Sequence, residues 1–300
     1  MNIKYAICMD VGGTSIKSAI IDSDGTLYNE TYKLVNINTQ GNKDYIISVF
    51  TSLINAYIDY LKFKSLKPYG IGIGMCGPFD YESGICLIPP YLHKYQSIYG
   101  LNLKSIFQSS TGVENIVFEN DAWAYLRGEA WVGAAKGFNR SIGITIGTGL
   151  GSAFYCNGEI VSTGKGVPPD GWIGGLPFMT GIVEDFITRR WILSKYSELT
   201  KDISSIDVID IAEHAFKGDK TCQSIFKEMG ERLGKVIEPF AKDFEAECIV
   251  FGGQIAKSFS LFEDALNNTL QNVPTLKKIT DAQHIEKSAL YGAAKLIFKD

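Results

Sequence analysis

Four short segments hold the residue types that handle phosphate and move a proton. They are Asp10-Val-Gly-Gly-Thr14, Glu119-Asn-Asp-Ala122, Gly147-Thr-Gly-Leu-Gly151 and Gly252-Gly253. In the first, an acid at a strand end precedes two glycines, Gly12 and Gly13, and then Thr14; such a backbone can come close to an anion. Asp10 is a candidate for Mg²⁺ through water, because that ion gives up its hydration shell reluctantly. No G-x-G-x-x-G opens a helix here and no Gly-Lys-Ser/Thr ends the loop, so neither a dinucleotide fingerprint nor a Walker A loop is present. In the second glycine loop, Gly147, Gly149 and Gly151 alternate, with Thr148 between the first two. Alternation strips one face of a strand of side chains, which weakens it unless something must approach. A β- or γ-phosphate is one such visitor; a bulge or close sheet contact is the plainer account. Gly252-Gly253 ends an apolar strand before a helix, where a base, a ribose or a simple turn fits equally.

Asp121 has two readings of its own. As a helix N-cap it accepts backbone N–H bonds. As a carboxylate at the mouth of a cleft it takes the proton of a hydroxyl attacking a γ-phosphate, the one base that phosphoryl transfer needs.

The elements that must position these residues read as two similar halves. Strand-like runs cover residues 4–9, 16–21 and 26–31, with Asp24-Gly25 as a hairpin turn. An amphipathic helix over 44–61, a buried strand over 70–75 ending at Cys76-Gly-Pro78, a strand at 116–118 and a helix towards Trp131 follow. The second half opens with strands at 141–146, 151–155 and 159–161, turning at Asn157-Gly158. A glycine- and proline-rich loop (164–177), helices to about Phe244, a strand at 247–251 and a small-faced helix over 288–298 complete it. A β-β-β-α-β-α plan therefore occurs twice, which predicts an α/β chain of two lobes with a nucleotide held in an interlobe cleft.

The bulk numbers exclude several classes. Three hundred residues suffice for two cores, and 45% hydrophobic with 21% charged residues is ordinary for a soluble domain protein. A net charge of −4 offers no footprint for nucleic acid, and no stretch is long and apolar enough for a membrane span. A cytoplasmic protein without a signal peptide is expected. Cys8, Cys76, Cys86, Cys156, Cys222 and Cys248 are scattered and predicted to be reduced. With His93, His214 and His284 they form no metal-ligand spacing, so no zinc site is expected.

As an ordered set, the four segments and the helix over 288–294 resemble the ROK family (repressors, open reading frames and kinases), over essentially the whole chain. The resemblance implies the actin-like, ribonuclease H-like ATPase fold, with a small lobe of residues 1–119 plus 288–300 and a large lobe of 120–287. It implies a carbohydrate kinase that uses ATP and Mg²⁺, closes its lobes on both substrates, and phosphorylates a sugar, usually at the 6-hydroxyl. Asp121 matches the family's catalytic base and Asn120 its sugar-binding neighbour. Asp10, Gly12, Gly13 and Thr14 match the first phosphate loop; Gly147, Thr148, Gly149 and Gly151 the second; Gly252 and Gly253 the adenosine turn. A homodimer is common in the family. Family repressors carry an N-terminal helix-turn-helix, for which a first strand beginning at Lys4 leaves no room.

Three departures bear on the sugar. Where many members have Glu-x-Gly-His and then zinc cysteines, this chain has Gly171-Trp172-Ile-Gly174-Gly175 and no such cysteines. Pro90-Tyr91-Leu92-His93 stands where an Asn-Leu is usual. Losing one buried acceptor for a sugar hydroxyl costs roughly 1–3 kcal/mol. Trp172 and Tyr91 are then candidates to stack on a hexose, an N-acylhexosamine such as N-acetylmannosamine, or a glucoside, or else they simply pack on the lobe. Glu184 and Asp185, in a segment resembling the family's Leu-Glu-Asp, are expected to cap a helix. A non-catalytic sugar or nucleotide sensor, and another phosphotransferase of the same fold, stand as alternatives.

Overall fold

The structure, a computed structural model, describes residues 3–201 and 206–298. It divides into two compact units, Met1–Val132 with Lys287–Asp300, and Gly133–Glu286.

In the first unit β1 (Tyr5–Val11), β2 (Ser15–Asp22) and β3 (Lys33–Asn36) form a meander, and α1 (Lys43–Phe63) leads to β4 (Pro68–Met75). A small hairpin, β5 (Phe79–Asp80) and β6 (Ile85–Cys86), precedes α2 (Leu103–Thr111), β7 (Ile116–Asn120) and α3 (Asp121–Val132). The second unit repeats the meander as β8 (Arg140–Ile146), β9 (Leu150–Cys156) and β10 (Glu159–Val161). A short hairpin, β11 (Pro177–Phe178) and β12 (Gly181–Ile182), leads to α4 (Arg189–Thr200), α5 (Val208–Phe216) and α6 (Lys220–Asp243). Then come β13 (Cys248–Gly252), α7 (Glu263–Leu270) and β14 (Lys278–Asp281), and α8 (Ser288–Ile297) rejoins the first unit.

Both five-stranded sheets have the same order, β3-β2-β1-β4-β7 and β10-β9-β8-β13-β14. In each, the meander is antiparallel and the last two strands are parallel to the first. This duplicated α/β plan is the actin-like fold.

Period-two patterning sends β1 to two different neighbours. Ile7, Met9 and Val11 face α1 and α2 through Ile46, Phe50, Ile54 and Phe107. Ala6 and Cys8, with Ala19 and Ile21 of β2, face Leu290, Ala293 and Ala294 of α8. Small residues on that face let α8 lie close to the sheet: a methyl on Gly72 would stand 2.2 Å from the Ala293 carbonyl oxygen. The same closeness joins α8 to α3. A Cβ on Gly292 would lie 1.7 Å from the Ala124 oxygen, and one on Gly128 1.9 Å from the Ser288 oxygen. This contact places α3 in the first unit, so the chain divides after Val132 and not after residue 119 as the sequence led us to expect.

Two other expectations on the strands are corrected. The third strand lies at Lys33–Asn36, not over 26–31, because Asn29–Thr31 forms a 3₁₀ turn. There the Thr31 hydroxyl donates to the Tyr28 carbonyl at 2.6 Å and accepts the Ile20 N–H at 2.9 Å, replacing a ladder partner. The Asp22 carboxylate closes the Asp24-Gly25 turn by accepting from Asp24 N at 3.0 Å and Thr26 N at 2.9 Å. The second unit also has a fifth strand, β14, between the expected strand at 247–251 and the last helix, where no element was anticipated. All six cysteines are free thiols, and all but Cys156 are buried.

At the base of α3 a buried ion pair ties helix to strand. Arg127 Nη2 donates to Glu119 Oε1 at 2.7 Å, both side chains under a tenth exposed. Forcing a branched side chain into the α3–α8 crossing is the most direct disturbance of this arrangement. Gly292→Val is expected to destabilise the first unit by about 3 kcal/mol through overpacking, read as a lower urea midpoint. A midpoint equal to wild type would show that the crossing relaxes at no cost.

Candidate functional site

In the first unit, β1 and β2 pair as far as Val11 opposite Ile16, and Gly12, Gly13 and Thr14 form the loop between the two strands. Gly12 N donates back to Ser15 O at 3.0 Å. Glycine here is not required by the protein's own packing. A methyl on Gly12 would meet nothing nearer than 3.5 Å and one on Gly13 nothing nearer than 3.9 Å. Thr14 is exposed at the loop tip. Asp10 sits on β1 opposite Lys17, whose ammonium is 3.7 Å from its carboxylate.

The adjacent strands β4 and β7 end beside this hairpin, Val11 pairing with Met75 and Met75 with Asn120. The chain turns at Asn120 straight into α3, and here the cap is Asn120 rather than Asp121. Asn120 Oδ1 accepts from Ala122 N at 3.0 Å and Trp123 N at 3.3 Å, while its amide nitrogen donates to the Tyr81 hydroxyl at 3.1 Å. Tyr81 is in turn held by donating to Met75 O at 3.1 Å. Asp121 accepts from Ala122 N through Oδ1 at 2.9 Å, and its own backbone N–H also favours the carboxylate. Its Oδ2 has no hydrogen-bond partner among the described residues.

Burial is the leading influence on the Asp121 carboxyl and raises its pKa, although the residue keeps some exposed surface. The Ala122 N–H and the charge of Lys94 pull it back down. Lys94 was not singled out in the sequence. It acts on Cys76 as well, whose thiol burial pushes up to about 12. Tyr91, three residues earlier, lies in the short 3₁₀ turn Pro90–Leu92 and is 74% exposed.

In the second unit Ile146 pairs with Leu150, and Gly147, Thr148 and Gly149 form the turn, closed by Gly147 N donating to Gly149 O at 3.0 Å. A Cβ on Gly147 would find nothing within 4 Å. Gly151 lies in β9 opposite Thr145. Gly252 pairs with Thr145 on the other side of β8, so the two glycine segments of this unit are neighbours. At Gly253 the backbone takes φ +81°, and a Cβ would stand 2.4 Å from Ile146 O. The following helix, Gln254–Leu261, is 3₁₀.

Trp172 belongs to this hairpin's surroundings. Its indole N–H donates to Leu150 O at 2.8 Å, and its ring lies over Gly175, where a Cβ would be 2.3 Å away. Ser152 fixes the stretch from beneath, donating to Gly171 O at 2.6 Å and accepting from Ile173 N at 2.8 Å. The indole remains 45% exposed. Glu184 does not cap a helix as expected; its Oε2 accepts the Leu150 N–H at 3.2 Å, against Gly149. Asp185 does the capping, accepting from Ile182 N at 3.0 Å, and pairs with Arg190. The first unit thus groups Asp10, the Gly12–Gly13 loop, Asn120 and Asp121. The second groups Gly147–Gly151, Gly252–Gly253 and Trp172, while Tyr91 lies on an exposed turn of the first unit.

Among the described residues no three His, Cys, Asp or Glu side chains converge as a metal centre. A lone carboxylate such as Asp10 is the donor set that Mg²⁺ takes beside nucleotide phosphates, with waters completing its shell.

The sequence profile of the ROK family matches residues 6–300. The glucokinase of Thermotoga maritima is 22% identical over 97% of this chain and 96% of its own length. A xylose repressor of Caldicellulosiruptor bescii is 23% identical over 88% of this chain and 69% of its own length. Among solved structures, a ROK family glucokinase of Streptomyces griseus in complex with glucose and AMPPNP superposes with a TM-score of 0.79. It is 21% identical, over 97% of this chain and 98% of that one. From its first glycine hairpin to its last helix, then, this chain belongs to the ROK family.

Proposed function

We propose that the chain is an ATP-dependent sugar kinase acting on a hexose, an N-acylhexosamine or a glucoside, at the 6-hydroxyl. The observation that carries this reading is Asp121: a carboxylate relieved of capping duty by Asn120, with one oxygen left unpartnered, on the strand end next to an open glycine hairpin. A regulator that only senses sugar has no use for a base so placed.

In this reading Asp121 accepts the proton of the sugar hydroxyl as its oxygen attacks the γ-phosphorus in line. Backbone N–H groups of Gly12, Gly13 and Thr14, and of Gly147, Thr148, Gly149 and Gly151, hold the phosphates. Gly252 and Gly253 receive the adenosine. Asp10 holds Mg²⁺ through water, and the ion supplies positive charge against the phosphates. Asn120 has an amide hydrogen to spare for the sugar, and Trp172 and Tyr91 offer aromatic faces for a ring. By family resemblance the protein works as a homodimer, and by its sequence in the cytoplasm; no helix among the described residues is long and apolar enough to cross a membrane.

The regulator reading draws on the xylose repressor relative. A coupled ADP-release assay against glucose, mannose, N-acetylmannosamine, N-acetylglucosamine and β-glucosides separates the two. Turnover on one of these supports the kinase. Sugar-dependent thermal stabilisation without turnover favours the regulator.

Asp121→Asn is expected to lower kcat by roughly 10³-fold while leaving nucleotide affinity within a few-fold of wild type. Stability should move the other way. A carboxyl whose pKa is raised in the fold binds its proton more tightly folded than unfolded, so stability falls as pH rises from the ordinary carboxylate range through the folded pKa. The asparagine removes that penalty, and its melting temperature at pH 7 should equal or exceed wild type. Equal losses of nucleotide affinity, stability and turnover would assign Asp121 a structural role instead. Trp172→Ala should raise the sugar KM by roughly three- to tenfold with kcat nearly unchanged; an unchanged KM would leave the indole as packing.

A further inference from the structure

One cation near the open hairpin of the first unit leans on a neutral thiol, Cys76, and feels a carboxylate, Asp121, without closing a salt bridge to it. Lys94 makes no ion pair among the described residues although its side chain is partly buried, whereas Lys17 on β2 is paired with Asp10. Its Cδ lies 3.9 Å from where a Cβ of Gly13 would be, and its charge reaches both Asp121 and Cys76. The lysine therefore stands by the phosphate-type glycine loop and within electrostatic reach of the carboxylate assigned as the base.

The backbone holds it there. Tyr95 is fully buried and donates its hydroxyl to Gly12 O at 2.8 Å, while its N–H donates to Thr39 O at 2.8 Å. Thr39 in turn donates to Gly13 O at 3.3 Å, and Gln40 donates to His93 O at 3.4 Å. His93 and Tyr95, on either side of Lys94, take the left-handed conformation with φ 53° and 56°. Side chains rarely adopt that region unless surrounding contacts impose it. The segment carrying Lys94 is thus bolted to the carbonyls of the glycine hairpin itself.

We propose that Lys94 contacts the phosphoryl group in transfer, its ammonium answering the negative charge that passes over the Gly12–Gly13 hairpin towards the acceptor oxygen. This rests on the phosphoryl-transfer reading above. The acceptor O–H gives its proton to Asp121, the O–P bond forms, and the bond from the γ-phosphorus to the bridging oxygen breaks to leave ADP. Lys94 gains and loses no proton in this step; it offsets charge at the phosphoryl oxygens and favours the ionised form of the nearby base. The other titratable groups around Asp121 and Lys94 are Cys76, Cys86, Tyr81 and Tyr95, with the Asp10–Lys17 and Glu119–Arg127 pairs beyond them.

The test compares Lys94→Met and Lys94→Arg with wild type, by steady-state kinetics across pH and by ¹³C NMR of carboxyl-labelled aspartate, the Asp121 signal assigned with Asp121→Asn. Lys94→Met should lower kcat roughly 100-fold with the sugar KM within about threefold, and the arginine should restore about tenfold. Because Lys94 stabilises the carboxylate, its removal should move the acid limb of kcat and the NMR midpoint of Asp121 to higher pH. Unchanged kcat, or a loss confined to the sugar KM, would overturn the proposal. So would an unmoved Asp121 midpoint, whether or not any sugar is phosphorylated. If wild type turns over no sugar while Lys94→Met still moves the Asp121 midpoint, the kinase reading and with it the phosphoryl contact fail, and only the Lys94–Asp121 coupling stands.

Discussion

The placement of α3, and with it Asp121, depends on two helices touching backbone to backbone. Where α3 crosses α8, Gly128 and Gly292 leave no side chain between carbonyl and helix, and Gly72 does the same between α8 and the sheet. This closeness fixes the axis of α3, and its first residue is Asp121. The buried Glu119–Arg127 pair secures the other end of the same joint, strand to helix. Such a pair contributes little net stability against an apolar substitute, yet breaking it leaves a buried charge alone, so it specifies geometry more than it adds strength. The position of the carboxylate is thus inherited from packing about one to two turns further along α3.

The chemistry of the site follows from a division of labour at one strand end. Two neighbouring residues offer polar side chains at the start of a helix, where N–H groups compete for acceptors. Asn120 takes the cap and Tyr81 holds Asn120. That leaves Asp121 with one weakly engaged oxygen, in surroundings dense enough to favour its protonated form and with a lysine near enough to oppose that shift. A group pulled in both directions suits a base that must take a proton and later release it.

Much of this was legible in the sequence, for reasons that can be assigned. The meanders, the glycine hairpins and the C-terminal helix declared themselves because apolar alternation, Asp-Gly and Asn-Gly turns and small-residue spacing are local signals. The third strand was misplaced because a threonine hydroxyl, Thr31, substitutes for a ladder partner, which no periodicity reveals. β14 went unread because it is a short strand with exposed ends at the edge of its sheet. The sequence left Asp121 open between cap and base, and of the two expected caps Glu184 and Asp185 only Asp185 serves; what separates these neighbours is long-range, Asn120 reaching Tyr81 and Glu184 reaching Leu150. Lys94 was invisible for the same reason: a lysine beside a proline-rich turn carries no pattern until Tyr95 is seen bound to Gly12.

The return of α8 to the first unit has a consequence for how the protein comes into being. The face of β1 and β2 formed by Ala6, Cys8, Ala19 and Ile21 is covered by a helix that the ribosome makes only after the whole of residues 133–286. At synthesis rates of about 5–20 residues per second, that face waits on the order of ten seconds for its cover. During that time the first unit has one finished core, against α1 and α2, and one bare apolar strip. The interruption that makes the duplicated architecture possible is also its moment of greatest exposure to aggregation and to chaperones.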